Sequence, residues 1–215
     1  MFFRRLKQIH GNRLINTLII FAKAPVPGQV KTRLGADLGM VEASRIYERV
    51  LHQLMHEIKE NKKFLKHFYV SGDSEYFQFL YPDVACSLQC EGDLGDRMSN
   101  AFSNDLKKSS KVVLIGSDCP MMSNDVIEAA FEALDQNDLV LGPAEDGGYY
   151  LIGMKQEQQL FSGMAWSSET VLEETLIRAQ KLNLRVSQLE TLRDLDTIAD
   201  YHFYESIIES ITIGN

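Results

Sequence analysis

Four short stretches of the chain concentrate residue types that bind phosphate or a divalent cation. The first, FAKAPVPGQVKTRL over residues 21–34, contains Lys23, Lys31, Thr32 and Arg33 and follows a short apolar run. Prolines and a glycine keep the stretch out of regular structure, so we predict a strand, a stiff cationic loop and then a helix. This arrangement suits phosphate binding. The Walker and dinucleotide signatures, GxxxxGK[ST] and GxGxxG, are absent, and a basic surface loop is the alternative.

Two carboxylates follow further predicted strands. Asp118 comes after VVLI in GSDCP, and Asp146 comes after LVLG in GPAEDGGYYLIGM. Because open α/β sheets bind ligands at the carboxyl ends of their strands, both side chains can approach one site. Carboxylates, water and phosphate oxygens are the usual ligands of Mg²⁺ or Mn²⁺, and we expect Asp118 and Asp146 to hold such an ion. The alternatives are a turn or N-cap role for Asp118 and a hairpin turn for Asp146.

The loop EGDLGDRM supplies a further candidate. Gly92 permits close backbone approach, and Arg97 has the planar donors that bind a phosphate or carbonyl oxygen. The alternative is a helix start with Asp93 or Asp96 as the cap and Arg97 in solvent.

Two stretches near the end of the chain are weaker signals. LRDLDT places Arg193, Asp194 and Asp196 before a helix, and we predict Asp196 to be the N-cap of that helix. Trp166, the single tryptophan, could stack on a ring, although a core anchor is the commoner role. No zinc constellation, GxSxG elbow or Cys/His pair indicates other chemistry.

Charge is distributed unevenly along the chain. The net charge is −8, yet residues 1–36 carry seven basic and no acidic side chains. General nucleic-acid binding usually needs a broad basic face, so this pattern argues against it. A small anionic ligand such as a nucleotide fits the basic segment better.

Length and composition indicate one ordinary globular domain. The 215 residues are 45% hydrophobic and 24% charged, enough for one substantial core. The three cysteines show no CxxC spacing, and no apolar run reaches the ~18 residues of a membrane span. We expect a cytoplasmic protein with an N-terminal extension at residues 1–16 and a single domain at 17–215.

The predicted elements alternate between strand and helix. Strands are expected at 18–23, 67–71, 84–89, 111–115, 139–141, 149–154 and 184–187. Helices are expected at 41–60, 74–80, from the EGDLGDRM loop to 106, 123–134 with Ser123 as N-cap, 168–182 and 197–210. Alternation of this kind predicts an open, mostly parallel sheet with helices on both faces.

Taken together, FAKAPVPGQVKTRL, GDLGDRM, VVLIGSDCP, LGPAEDGGYYLIG, WSSETVL and LRDLDT resemble a family of small bacterial glycosyltransferase-like proteins with the GT-A fold. The similarity to 2-phospholactate and molybdenum-cofactor guanylyltransferases is more remote. The resemblance covers about residues 18–201 and implies a single-domain, Rossmann-like nucleotide-diphospho-sugar transferase (GT-A) fold.

The resemblance also implies roles for individual residues. Lys23, Lys31 and Arg33 would bind nucleotide phosphates, and Asp118 would bind Mg²⁺ or Mn²⁺. Asp146 would lie at the acceptor side or donate a second metal ligand.

Three functions remain open. The leading one is transfer from a nucleotide sugar to a small-molecule acceptor, with Asp146 or Glu145 as the base if the transfer inverts configuration. The second is transfer of a nucleotidyl group from an NTP, and the third is a non-catalytic nucleotide-binding module.

Overall fold

The computed structural model describes residues 15–211. Its strands are β1 (Ile15–Lys23), β2 (Phe64–Ser71), β3 (Ala85–Leu88), β4 (Ser109–Ile115), β5 (Leu139–Pro143), β6 (Tyr149–Met154) and β7 (Val186–Gln188). Its helices are α1 (Thr32–Leu38), α2 (Met40–Ile58), α3 (Glu75–Leu80), α4 (Leu94–Leu106), α5 (Asn124–Gln136), α6 (Val171–Lys181) and α7 (Ile198–Ser210). Residues 1–14, most of the predicted extension, lie outside the described range.

The seven strands form one sheet in the order β3-β2-β1-β4-β6-β5-β7. Within the described residues β6 is the strand that runs antiparallel, pairing with β4 on one side and β5 on the other. The other pairings are parallel. The predicted mostly parallel sheet is therefore confirmed.

Helices cover both faces of the sheet. Along β1, Leu18 and Ile20 pack into a core with α2, α3 and α5, whereas Ile19 packs with α4 and α6 on the other face. A strand buried on both faces must be apolar at consecutive positions, which explains the unbroken LII and VVLI runs of β1 and β4. A smaller core joins α1, α2 and α7 around Leu34, Ile46 and Tyr204.

Several predicted boundaries shift by a few residues. β1 begins at Ile15 rather than Leu18, and α6 begins at Val171 because residues 168–170 form a turn. The predicted N-cap at Asp196 is wrong. Thr197 caps α7, accepting from the backbone of Asp200, whose side chain accepts in turn from the backbone of Thr197.

The sheet order places a topological switch point between β1 and β4. These strands are adjacent and parallel, with Ile20 opposite Ile115, while the chain leaves β1 toward β2 and leaves β4 toward the other half of the sheet. Loops at such a point open a crevice at the carboxyl edge, where α/β proteins bind ligands. The loops after β1, β4 and β5 all emerge at this edge.

Candidate active site

The loop after β1 is held in place by α2. The backbone N–H of Lys23 donates to the hydroxyl of Tyr47 at 3.1 Å, and that hydroxyl lies 3.2 Å from the Lys23 carbonyl oxygen and 2.9 Å from Ser117 Oγ. One turn earlier on α2, Ser44 donates to the carbonyl oxygen of Pro25. The buried ring of Tyr47 thus ties the loop after β1 to the loop after β4.

Lys31 lies at the centre of the site. Its Nζ is 2.7 Å from Asp118 Oδ2, with side-chain exposures of 7% for Lys31 and 37% for Asp118. The backbone of Lys31 is left-handed, with φ 47° and ψ 45°, at the N-cap of α1. Burial lowers the pKa of Lys31, but the charge and hydrogen bond of Asp118, together with the charges of Asp196 and Asp194, outweigh burial and leave that pKa raised. Lys31 is therefore a charged ammonium paired with the predicted metal-binding carboxylate.

Asp194 completes this cluster. Its Oδ1 is shielded from solvent and has no hydrogen-bond partner among the described residues. Burial and the charge of Asp118 together raise the pKa of Asp194 to about 8, against the opposing effect of Lys31. A buried carboxyl oxygen without a partner is costly and needs a reason, such as a bound ion.

Three hydrogen bonds fix the loop that carries Asp194. The backbone N–H of Leu195 donates to the carbonyl oxygen of Asp118 at 3.0 Å. The carbonyl oxygen of Arg193 accepts from the hydroxyl of Tyr204 at 2.9 Å and from the thiol of Cys119 at 3.6 Å. The backbone bond from Leu195 to Asp118 thus places Asp194, the residue before Leu195, close to Asp118.

The loop between β5 and β6 carries Glu145 and Asp146. Nε of Arg193 donates to Glu145 Oε2 at 2.6 Å, and Nη2 lies 2.6 Å from the same oxygen in an ion pair. Asp146 Oδ1 accepts from the backbone N–H of Gly148 at 2.9 Å, and the Asp146 side chain is exposed. The Asp146 charge contributes to the raised pKa of Asp194, so this loop borders the cluster.

The remaining cations of the first loop lie around this cluster. Arg33 pairs with Asp196 at 2.8 Å, and its side chain is 73% exposed. Thr32 is exposed in the first turn of α1, and Lys23 is exposed at the end of β1. Of the predicted phosphate ligands, Lys31 alone makes direct contact with Asp118 in the described structure.

Gly92 and Arg97 contact each other. Nε of Arg97 donates to the Gly92 carbonyl oxygen at 3.2 Å, beside a capping box formed by Asp93 and Asp96. A Cβ at Gly92 would lie 2.4 Å from Asp96 Oδ2. The described contacts of this pair serve the start of α4, and none reaches Asp118.

A pocket of about 470 Å³ adjoins the site between the loops after β1 and β2. Lys23, Ala24, Val26 and Gln29 line one side, and Ser71, Gly72 and Asp73 line the other. A more open depression of about 530 Å³ lies between the end of α2 and the start of α5. Its lining includes none of the predicted site residues, whereas the lining of the smaller pocket includes Lys23.

The donor set suits a hard divalent cation. Within residues 15–211 no group of three or more His, Cys, Asp or Glu side chains is arranged to hold a metal ion. Asp118 and Asp194 nevertheless supply two carboxylates on connected loops, one with an unpartnered buried oxygen. Mg²⁺ and Mn²⁺ sites often use one or two carboxylates, with substrate phosphates and water as the other ligands.

Sequence reasoning assigned no role to Asp194. The signal was present as LRDLDT, in which two aspartates flank a leucine that the structure buries at Leu195. With this alternation the side chain of Asp194 points away from the side to which Leu195 points. The sequence could not show, however, that Asp118 is the neighbour of Asp194.

The fold is that of the nucleotide-diphospho-sugar transferases. A crystal structure from Desulfovibrio desulfuricans G20, provisionally described as a nucleotide-diphospho-sugar transferase, matches with a TM-score of 0.81 and 28% identity over 93% of this chain and 99% of that chain. The chain belongs to the DUF2064 family, described as an uncharacterized protein conserved in bacteria, whose sequence model matches residues 50–168. The predicted resemblance and fold class are confirmed. No curated protein matches the chain.

More distant structures share the fold alone. The 4-diphosphocytidyl-2C-methyl-D-erythritol synthase of Anaerococcus prevotii DSM 20548 has a TM-score of 0.61 and 11% identity over 91% of this chain and 96% of that chain. Rv0371c of Mycobacterium tuberculosis H37Rv, solved in complex with manganese, has a TM-score of 0.53 and 13% identity over 93% of this chain and 100% of that chain.

No helix within the described residues is both long enough and apolar enough to span a bilayer.

Proposed function

We propose that the protein is a divalent-metal-dependent transferase that uses an activated nucleotide, and specifically a glycosyltransferase with a nucleotide-sugar donor. The observation that carries the proposal is the cluster of Lys31, Asp118 and Asp194 at the switch point of the sheet. The provisional description of the Desulfovibrio protein supports the sugar donor.

The donor nucleoside would occupy the 470 Å³ pocket between the loops after β1 and β2. Lys23 lies on the wall of that pocket, and Lys31 lies at the end of the same loop. A donor in this position directs its diphosphate along the loop, where the two lysines and Arg33 can neutralise the phosphate charge.

Asp118 and Asp194 would hold the divalent cation, with Asp146 as a further candidate from the sequence. A cation bound there supplies positive charge to the diphosphate leaving group. The backbone contact between Leu195 and Asp118 holds the carboxylates of Asp118 and Asp194 near each other. Such preorganised charge is generally the largest contribution of an enzyme to its rate.

Of the two predicted bases, Asp146 fits the role better than Glu145. The guanidinium of Arg193 contacts Oε2 of Glu145 through Nε and Nη2, so the Glu145 side chain is already held in an ion pair. Asp146 is exposed, and its one described hydrogen bond uses Oδ1. We therefore assign Asp146 to the deprotonation of an acceptor hydroxyl.

Nucleotidyl transfer is the second candidate. It is favoured by the single aspartate after β4, where sugar transferases of this fold often carry two in a DxD motif. The same lysines would then stabilise a departing pyrophosphate.

The experiment is a thermal-shift panel of NTPs and nucleotide sugars with and without Mn²⁺, followed by product analysis of each stabilising ligand. We expect a nucleotide sugar to be preferred and nucleoside diphosphate to be released. Release of pyrophosphate from an NTP would instead identify the second candidate, and binding without turnover would identify a non-catalytic module.

Asp118→Asn tests the metal assignment within the same panel. It removes the charge that a hard cation requires and keeps the side-chain shape. We expect the Mn²⁺-dependent part of the thermal shift to disappear while the protein stays folded. Asp83→Asn, at an exposed aspartate on the turn before β3, is the matched control. An unchanged Mn²⁺ response in Asp118→Asn would reject the site.

A further inference from the structure

The position of Lys31 is unusual for a phosphate ligand. A lysine that waits for phosphate is ordinarily solvated, whereas Lys31 is 7% exposed and its ammonium contacts Asp118. Its left-handed backbone is costly for a residue other than glycine, so the surrounding structure holds it there. In the free protein, the favourable partner of the Lys31 ammonium is therefore the carboxylate cluster.

The carboxylate that Lys31 occupies is also the one assigned to the metal. A divalent ion binds a carboxylate oxygen at about 2.0–2.6 Å, and the ammonium lies 2.7 Å from Asp118 Oδ2. A metal at Oδ2 would compete directly with the ammonium, and a metal at Oδ1 would lie close enough to be repelled strongly inside a partly buried site. Occupation of Asp118 by one cation therefore weakens binding of the other.

The chain allows Lys31 to withdraw without rearrangement of the loop. The earlier part of the loop is held by Tyr47 and Ser44 at Lys23 and Pro25, and none of these contacts involves the Lys31 side chain. Four flexible methylenes can swing the ammonium from the carboxylate to a phosphate, which it binds as a point charge. A phosphate entering along the loop thus supplies the new partner that Lys31 needs.

We propose that Lys31 is a placeholder cation, which occupies Asp118 in the free protein and leaves it for the nucleotide phosphate as the metal binds. The second half of this proposal, the movement of the Lys31 ammonium to the nucleotide phosphate, rests on the proposed function. It makes metal binding dependent on nucleotide, since the free protein already has a cation on Asp118. By linkage, the metal raises nucleotide affinity by the same factor as nucleotide raises metal affinity.

The test measures Mn²⁺ alone, by electron paramagnetic resonance of the free ion, against wild-type protein and Lys31→Met. We expect weak binding to the wild type and at least tenfold tighter binding to Lys31→Met, with the gain abolished when Asp118→Asn is added. Lys31→Arg should resemble the wild type because the charge remains. Lys63→Met, which removes one positive charge on an exposed residue elsewhere, controls for net charge.

Lys31→Met leaves Asp118 without its cation and could be too unstable for the binding measurement. A second measurement therefore uses another variant. Lys31→Gly adopts the left-handed backbone without strain and offsets part of this cost. Millimolar Mn²⁺ should raise the melting temperature of Lys31→Gly by several degrees and that of the wild type much less. Equal Mn²⁺ responses in wild type and both variants would overturn the placeholder role.

The outcomes also separate this proposal from the proposed function. Tighter Mn²⁺ binding by Lys31→Met with no nucleotide bound by any form would uphold the occupation of Asp118 by Lys31 and reject the nucleotide chemistry. Nucleotide binding that depends on Mn²⁺, without any gain in Lys31→Met, would uphold the nucleotide chemistry and reject the placeholder.

Discussion

Asp194→Asn is expected to stabilise the metal-free protein in a pH-dependent way. Burial, together with the charge of Asp118, raises the pKa of Asp194 from 3.8 to about 8. Between pH 3.8 and 8 a carboxyl with this shift takes up a proton on folding, so its contribution to stability is full below pH 3.8 and is lost as the pH rises toward 8. The amide of asparagine stays neutral throughout and avoids that loss.

The structure sets the size of the effect. Each pKa unit is worth about 1.4 kcal/mol, so the separation of the two pKa values allows at most about 6 kcal/mol at pH 8 and above. Relaxation and water entry reduce this, and we expect about 2–3 kcal/mol. For a chain of this length that corresponds to a rise of about 5–10 °C in melting temperature.

The assay is thermal unfolding of wild type and Asp194→Asn from pH 4 to pH 9 with EDTA present. The two curves should approach each other near pH 4 and separate steadily up to about pH 8. Asp196→Asn is the control, because that carboxylate is 41% exposed and its pairing with Arg33 is open to solvent. The reasoning would be refuted if the difference in melting temperature between the two proteins did not vary with pH, or if Asp194→Asn were less stable than wild type at pH 8.5.

Two further predictions concern the loop between β5 and β6. Asp146→Asn should lose turnover while nucleotide affinity falls little, as expected for a residue that acts in the transition state; full activity would leave Asp146 with only its turn contact to Gly148. Gly147→Ala should cost about 3 kcal/mol or more in chemical denaturation, because its φ is 87° and a Cβ would lie 2.0 Å from the Glu169 carbonyl oxygen. Gly28→Ala, with φ 79° and nothing within 4 Å, should cost only about 1 kcal/mol; equal losses would contradict the contact argument.

The sequence predicted the fold class because hydrophobic runs and helical periodicity are local signals. The direction of β6 was not predicted, although the sequence contains the necessary information. Only residues 144–148 connect β5 to β6, whereas a parallel connection needs a dozen or more. That short connection leaves an antiparallel hairpin as the one possible arrangement.

Helix capping shows how a local pattern can be misassigned by one residue. Aspartate is a strong N-cap, which favoured Asp196, but Thr197 is followed three positions later by Asp200. This spacing matches a capping box, in which both side chains satisfy the backbone at the start of α7. Reading the pair rather than the single residue would have placed the cap correctly.

The candidate site was only partly accessible from sequence. Asp118 and Lys31 were identified from their loops, since strand ends and basic loops are recognisable from residue types. The pairing of these two side chains, and the approach of Asp194, depend on contacts between distant parts of the chain. Such contacts follow from the order of strands in the sheet, which no local pattern specifies.

The cluster of Lys31, Asp118 and Asp194 joins three residues that lie far apart in the sequence. During synthesis the chain emerges from its amino end, so residues up to at least Asp194 must have emerged before the three side chains can meet. A truncated product that ends before Arg193 could build most of the sheet but would lack the third member of the cluster. Under the proposed function, chains that extend through Asp194 gain the stabilisation that a bound ligand supplies, whereas shorter chains lack the third cluster member.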